Sequence, residues 1–418
     1  MNMRITPRTL SGTVPAIPSK SYAQRLLIAA LLCDDTVALN FEKSCEDIES
    51  TQSAVEALRR GESVIDCKSS ATAARILLQV MAVRFPGAEM ICSEQLSKRP
   101  LETLITFPAK AGVYEISGKL SSQYISGLMF ALPLLEGESK IVLTDPLESA
   151  GYVDITIDVL SQFGIEIHQD GQKGWTVPGN QRYVAPEYIE CEGDWSNAPV
   201  WIAAGAVVTG LGVDTLQPDG QAFLPFCEYS EQPDGSSLSS SKIFGRTNSQ
   251  SEWISSKSAE PQSPPILAGL RSDRPAARTA FRLSGSARLP EVIDVSQCPD
   301  LTPVLAVMAA TREGQTRIVG THRLRIKESD RIESVVEMLR NLGGIAEVQG
   351  DDILITGQAK LAGGEVNSFE DHRIVMAATL ASCWCESPVT IIGAEAVAKS
   401  YPHFFDDFCA LGGQVEFE

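Results

Sequence analysis

Basic residues in this chain stand where helices should begin. Lys20 and Ser21 open the run KSYAQR, and Arg25 follows Ser21 by one helical turn, so the two share a face. Lys98, Arg99 and Pro100 close a polar stretch, and His372 and Arg373 start HRIVM. Lys399 lies in AVAKSYP, while Arg325, Lys327, Glu328, Asp330 and Arg331 crowd into one short segment, RIKESDR. Taken singly, each is an ordinary solvated charge. Mixed charges as dense as KESDR at a helix start point instead to a pocket. The chemistry these types share is anion binding: arginine forks hold carboxylates and phosphates through paired bonds, and lysines add mobile point charge.

Other routes to phosphate chemistry are missing. There is no GxxxxGK[ST] loop, no GxGxxG after a strand, no GxSxG elbow and no HExxH helix. Anions must therefore be held by side chains and helix ends. The net charge of −18 excludes a basic nucleic-acid-binding surface. It does not exclude a local cationic site, because physiological salt screens exposed charges beyond about 8 Å. The ten cysteines are scattered and read as reduced core thiols, Cys383 and Cys385 being the closest pair. The four histidines lack ligand spacing, so no metal is expected. Apolar runs such as Leu26–Cys33 and Trp201–Val208 are too short to span a bilayer. The MNMRITPRTLSG start lacks a signal-peptide core, so a cytoplasmic protein is expected.

The elements that must position these residues recur as one unit: polar helix start, apolar helix, glycine turn, strand. It is clearest at Ser329–Gly357 and is repeated at Val153–Gly179, Ile48–Cys67 and Phe404–Phe417. Further helices are expected over 19–32, 69–82, 121–135, 194–208, 299–310 and 370–382. Ser21, Ser121, Ser196, Asp300 and Asp371 read as their N-caps. Helix starts that converge on a cleft would add a positive backbone field suited to phosphate. One stretch, 214–289, shows no such unit and is serine-rich over 230–263. It reads as a long loop, an insertion or a drifted repeat.

In this order along almost the whole chain, the segments resemble the enolpyruvyl transferases, and among them the 5-enolpyruvylshikimate-3-phosphate (EPSP) synthase family. The matching segments are SKSxxxR at 19–25, TAxR at 72–75, KRP at 98–100, SSQ at 121–123 and SxxY-x-DIT at 149–156. They continue with GD-x-S at 193–196, PD at 299–300, KESDR at 327–331, DHR at 371–373 and AKSYP at 398–402. The resemblance implies an α/β (α+β) chain of two domains, an inside-out α/β barrel with three βαβαββ units per domain. The domains would be 18–194, binding shikimate phosphate, and 1–17 with 195–418. It implies transfer of the enolpyruvyl group of phosphoenolpyruvate to the 5-hydroxyl of shikimate 3-phosphate, by a monomer without cofactor. Shikimate 3-phosphate would meet Lys20, Ser21, Arg25, Ser121, Ser122, Gln123, Ser149, Tyr152, Asp300 and Lys327. Phosphoenolpyruvate would meet Lys20, Ala71, Arg99, Gln123, Arg331, Arg373 and Lys399. The catalytic set would be Asp300 with Lys20 near the hydroxyl, Glu328 as acid to the methylene carbon, and His372.

The sequence departs from the family at several points. Ala71 stands where the family carries glycine, and its methyl should crowd glyphosate beside the phosphoenolpyruvate site. Ala150-Gly151 replaces Lys-Pro, and Arg323 replaces a frequent asparagine. Two other readings remain: UDP-N-acetylglucosamine enolpyruvyl transferase, and a non-catalytic binder of phosphorylated metabolites. Against the first, the chain has Lys-Ser-Tyr where those relatives carry Lys-Asn-Ala, and it lacks their cysteine on an arginine-rich loop near Arg99.

Overall fold

The computed structural model describes residues 1–417 except 36, 38, 40, 42, 98–109, 120, 232–244 and 247–278. The chain divides into two compact units. One comprises Pro18–Cys191 with Leu216–Pro218; the other comprises Met1–Ile17, Glu192–Thr215 and Asp219–Glu418.

Each unit turns the usual layering inside out, with helices as core and sheets as cover. The helix Thr302–Ala310, TPVLAVMAA, is buried at every residue, and so is His372–Ser382. Lys20–Leu32 is buried from Tyr22 to its end. A helix apolar on all sides is stable only when surrounded. The strands meet that need from outside and alternate in burial, as in Val113–Ile116, where Tyr114 and Ile116 face inward and Val113 and Glu115 face out.

The sheets share one topology. In the larger unit, Val292–Asp294 runs parallel to Gln315–Val319, which pairs antiparallel with Asp352–Thr356, itself antiparallel to Ile345–Gln349. The parallel pair needs a crossover helix, supplied by Thr302–Ala310. The antiparallel pair needs only a tight turn, here at Gly350. The same order recurs in Gly364–Asn367, Val389–Ile392, Asn2–Thr6, Gln414–Phe417. There the N-terminal strand fills the third place, so the first residues of the chain complete its last sheet. In the smaller unit the order is Val113–Ile116, Ser139–Leu143, Gly174–Val177, His168–Gln169. Beside it, Val64–Asp66 and Glu89–Ile91 form a parallel pair. Gly343, at φ +82°, ends the helix Arg331–Asn341 and turns the chain into Ile345–Gln349, as the glycine pattern suggested.

Two expectations need correction. Residues 214–289 do contain a repeat at both ends, so the drifted-repeat alternative is the one the structure supports. The helix Pro218–Phe223 leads into Cys227–Glu231, which pairs antiparallel with Thr279–Leu283. That strand pairs with Val207–Thr209, parallel in turn to Thr13–Pro15. Its signal was lost because the helix is six residues long, opens on proline and contains Gly220, while its two strands lie far apart in sequence. Most of the serine-rich middle, 232–244 and 247–278, lies outside the described residues. The helix expected over 194–208 is also shorter: it spans Ala198–Ala203, and Gly205 at φ +97° turns the remaining apolar run into strand Val207–Thr209.

Candidate active site

The smaller unit gathers several helix starts around Arg25. This side chain is 1% exposed. Its Nε donates to Thr156 Oγ1 at 2.7 Å, and its Nη1 donates to the Ser21 carbonyl at 2.9 Å. Its Nη2 donates to Ser126 Oγ at 3.3 Å and the Tyr152 carbonyl at 3.1 Å. One guanidinium thus ties the helices Lys20–Leu32, Ser122–Ala131 and Ala150–Gln162 together within their first two turns. All four acceptors are neutral. Burial without a carboxylate lowers the Arg25 pKa to about 10, with Tyr152 and Tyr22 acting slightly the other way.

Other expected ligands of this unit make contacts of their own. Lys20 Nζ pairs with Asp47 Oδ2 at 2.9 Å. Ser121 caps Ser122–Ala131, accepting from the Gln123 N–H. The Gln123 amide is held at both ends: Oε1 accepts from Arg75 Nη1 at 2.8 Å and Nε2 donates to Thr72 Oγ1 at 2.7 Å. Arg75 also lies over the Tyr124 ring, 5.4 Å from its centre. Ser149 is buried in the left-handed region, φ 56°, directly before the helix that carries Tyr152. Ala71 begins the helix Ala71–Arg84 behind its cap Ser70. Ser21 is not a cap: the helix starts at Lys20 behind Ser19. Arg99 lies outside the described residues.

The larger unit builds its cluster around Arg331, also 1% exposed. Its Nη1 meets Asp300 Oδ1 at 2.6 Å and its Nη2 meets Glu328 Oε2 at 2.8 Å. Nε and Nη2 together hold Asp371, at 2.7 and 3.2 Å. Lys327 Nζ joins Asp300 at 3.1 Å. Burial works against the Arg331 charge, but Asp371, Glu328 and Asp300 outweigh it and push its pKa up. Burial lowers the Lys327 pKa against the pull of Asp300. KESDR is thus one folded ion-pair network. Asp330 caps Arg331–Asn341, and Asp371 caps His372–Ser382. Asp300 is no cap but sits inside the single turn Pro299–Leu301. Ser196 precedes a helix whose cap is Asn197.

Arg373 is different. It is 3% exposed, and Nη1 donates to the Ser196 carbonyl and to Asn197 Oδ1, the latter at 3.0 Å. Its Nε has no partner among the described residues. The guanidinium is therefore braced at Nη1, with its buried Nε side unspent. Immediately before it, Phe369 and Glu370 both adopt left-handed φ, 53° and 56°. Two such non-glycine residues in a row store strain, which commonly accompanies function. His372 is buried, with Nδ1 3.8 Å from Asp371. Lys399 ends the turn Ala394–Lys399, and Tyr401 just beyond it is anchored to Asp407 at 2.7 Å. No pattern in the sequence points to Asp219. This fully buried carboxyl accepts from Ser196 Oγ, and Asp300 and Arg373 are its strongest charged neighbours.

Comparison with known proteins gives the family. The sequence model of EPSP synthase (3-phosphoshikimate 1-carboxyvinyltransferase) matches residues 87–215 and 276–408. The chain belongs to this family. It is 34% identical to a 3-phosphoshikimate 1-carboxyvinyltransferase of Clostridium acetobutylicum, over 99% of this chain and 98% of that one. It is 32% identical to one of Clostridioides difficile, with 99% and 98% covered. An EPSP synthase structure from Acinetobacter baumannii superposes with a TM-score of 0.73 at 21% identity, covering all of both chains. That likeness shows the shared fold. All ten cysteines are free, and no group of residues suited to hold a metal occurs among the described residues. No helix there is long and apolar enough to cross a membrane.

Proposed function

We propose that this chain transfers the enolpyruvyl group of phosphoenolpyruvate to the 5-hydroxyl of shikimate 3-phosphate, releasing phosphate. The observation that carries the reading is the contrast among three buried arginines. Arg25 is buried on neutral acceptors only, which suits it to a dianionic phosphate. Arg373 is braced at Nη1 and offers an unspent Nε, which suits the carboxylate of phosphoenolpyruvate. Arg331 holds Asp300 and Glu328 on its two Nη atoms, at 2.6 and 2.8 Å, and so keeps two carboxyl groups beside one another.

That pair can serve an addition followed by an elimination. In the addition, Asp300 takes the proton of the 5-hydroxyl as its oxygen bonds to C2 of phosphoenolpyruvate, and protonated Glu328 gives a proton to the methylene carbon. In the elimination the methyl group returns its proton to Glu328, the C2–O bond to phosphate breaks and the enol ether forms, while the proton held by Asp300 leaves with the released phosphate. Positioned acids and bases of this kind contribute roughly 100- to 10,000-fold to rate. Ser21, Ser121, Ser122, Gln123, Ser149 and Tyr152 would orient shikimate 3-phosphate. Lys20, Ala71, Arg99 and Lys399 would lie about the donor. We place the protein in the cytoplasm as a monomer.

Phosphate release tests the reading. It should require phosphoenolpyruvate and shikimate 3-phosphate together. Release with UDP-N-acetylglucosamine as acceptor, or with neither acceptor above background, would overturn it.

A further inference from the structure

Asp219 has no part in the chemistry above, yet its carboxyl is fully buried and only one of its oxygens is satisfied. Oδ2 accepts from Ser196 Oγ, while Oδ1 has no hydrogen-bond partner among the described residues. Charged groups surround it: Asp300 and Asp194 repel the ionised form and Arg373 attracts it, with the Cys298 thiol also nearby. A buried carboxyl in such company is costly, and packing alone gives no reason to keep it.

Its hydrogen bond leads to the donor site. The Ser196–Asn197 turn is pinned twice. Asp194 Oδ1 accepts from both backbone N–H groups, each at 2.8 Å, and Asp219 takes the Ser196 side chain. That turn offers the two oxygens on which Arg373 Nη1 rests, the Ser196 carbonyl and Asn197 Oδ1. Whatever fixes the turn aims the unspent Nε of Arg373. Gly220 follows without room for a side chain: a Cβ there would lie 2.5 Å from Thr215 and 2.6 Å from Trp195, so the backbone carrying Asp219 is itself held in place.

We propose that Asp219 is a positioning residue for phosphoenolpyruvate, acting through Ser196 to hold the guanidinium of Arg373 in its carboxylate-binding orientation. The inference rests on the reading of Arg373 as a donor ligand, and steady-state kinetics on four variants separates the two. Arg373→Lys removes the fork and should raise KM for phosphoenolpyruvate by about 100-fold, leaving KM for shikimate 3-phosphate within about twofold. Ser196→Ala keeps the carbonyl but cuts the link to Asp219. It should raise KM for phosphoenolpyruvate about tenfold, as should Asp219→Ala, with little change for the other substrate. Asp219→Asn retains an acceptor for Ser196 and should restore KM to within about threefold of wild type. If Arg373→Lys leaves KM unchanged, the donor-site reading and this inference both fall. If Arg373→Lys behaves as expected but Ser196→Ala and Asp219→Ala do not, or raise both KM values equally, Asp219 is merely structural. Should Asp219→Ala fail to fold, Ser196→Ala and Asp219→Asn still decide the matter.

Discussion

Arg25 and Arg331 are equally buried, and each ties helix starts together, but they are compensated in opposite ways. Arg25 rests on two hydroxyls and two carbonyls. Arg331 rests on three carboxylates. The first arrangement leaves a buried positive charge that an anion would complete. The second neutralises its own charge and serves to hold the carboxyl groups in place. A protein of net charge −18 can thus present a cationic pocket, because what matters is where the carboxylates are left out.

The largest effect should come from removing the compensated centre. Arg331→Met strands Asp300, Glu328 and Asp371 together, which should lower Tm by about 6–20 °C. Arg25→Met removes a charge that has no ionic partner, and should lower Tm by less than half as much. Equal losses in thermal unfolding would erase the distinction. Next comes Glu328→Gln, which keeps the contact with Arg331 but cannot supply the proton. It should bind both substrates and lose at least about 100-fold in kcat, and near-normal kcat would remove Glu328 from the acid role.

A smaller effect concerns pH. Burial, and then the Asp300 charge, raise the Asp219 pKa to about 7, against an ordinary value near 4. The folded state then holds this proton more tightly than the unfolded state does. The stability it contributes is full below pH 4 and lost as pH rises towards 7. Asp219→Asn should therefore give a Tm gain that grows between pH 4 and 7 and stays level above. A gain independent of pH would contradict this. The smallest effect expected is at Ala71, where Ala71→Gly should strengthen glyphosate inhibition in an activity assay. Unchanged inhibition would show that the methyl does not crowd that site.

How much of this was legible in the sequence follows physical lines. Dense local signals were readable in part: KESDR, whose charge density pointed to a pocket, folds into an ion-pair network, and Gly343 ends a helix where expected. Signals that depend on distant partners were not. Asp219 sits in a six-residue helix with no periodicity, and its meaning comes from Ser196, Asp300 and Arg373. The strand Thr279–Leu283 pairs with partners far away along the chain. Nor does any residue type announce the left-handed backbone at Ser149, Phe369 and Glu370. At Ser21 the reason is simpler: two serines flank Lys20, either suits a cap, and the helix uses Ser19.

Calorimetric titration of shikimate 3-phosphate into wild type and Arg25→Met tests the central contrast most directly. The uncompensated arginine should carry the phosphate, so the folded variant should bind at least about 100-fold more weakly. Undiminished binding by a folded Arg25→Met protein would contradict the account.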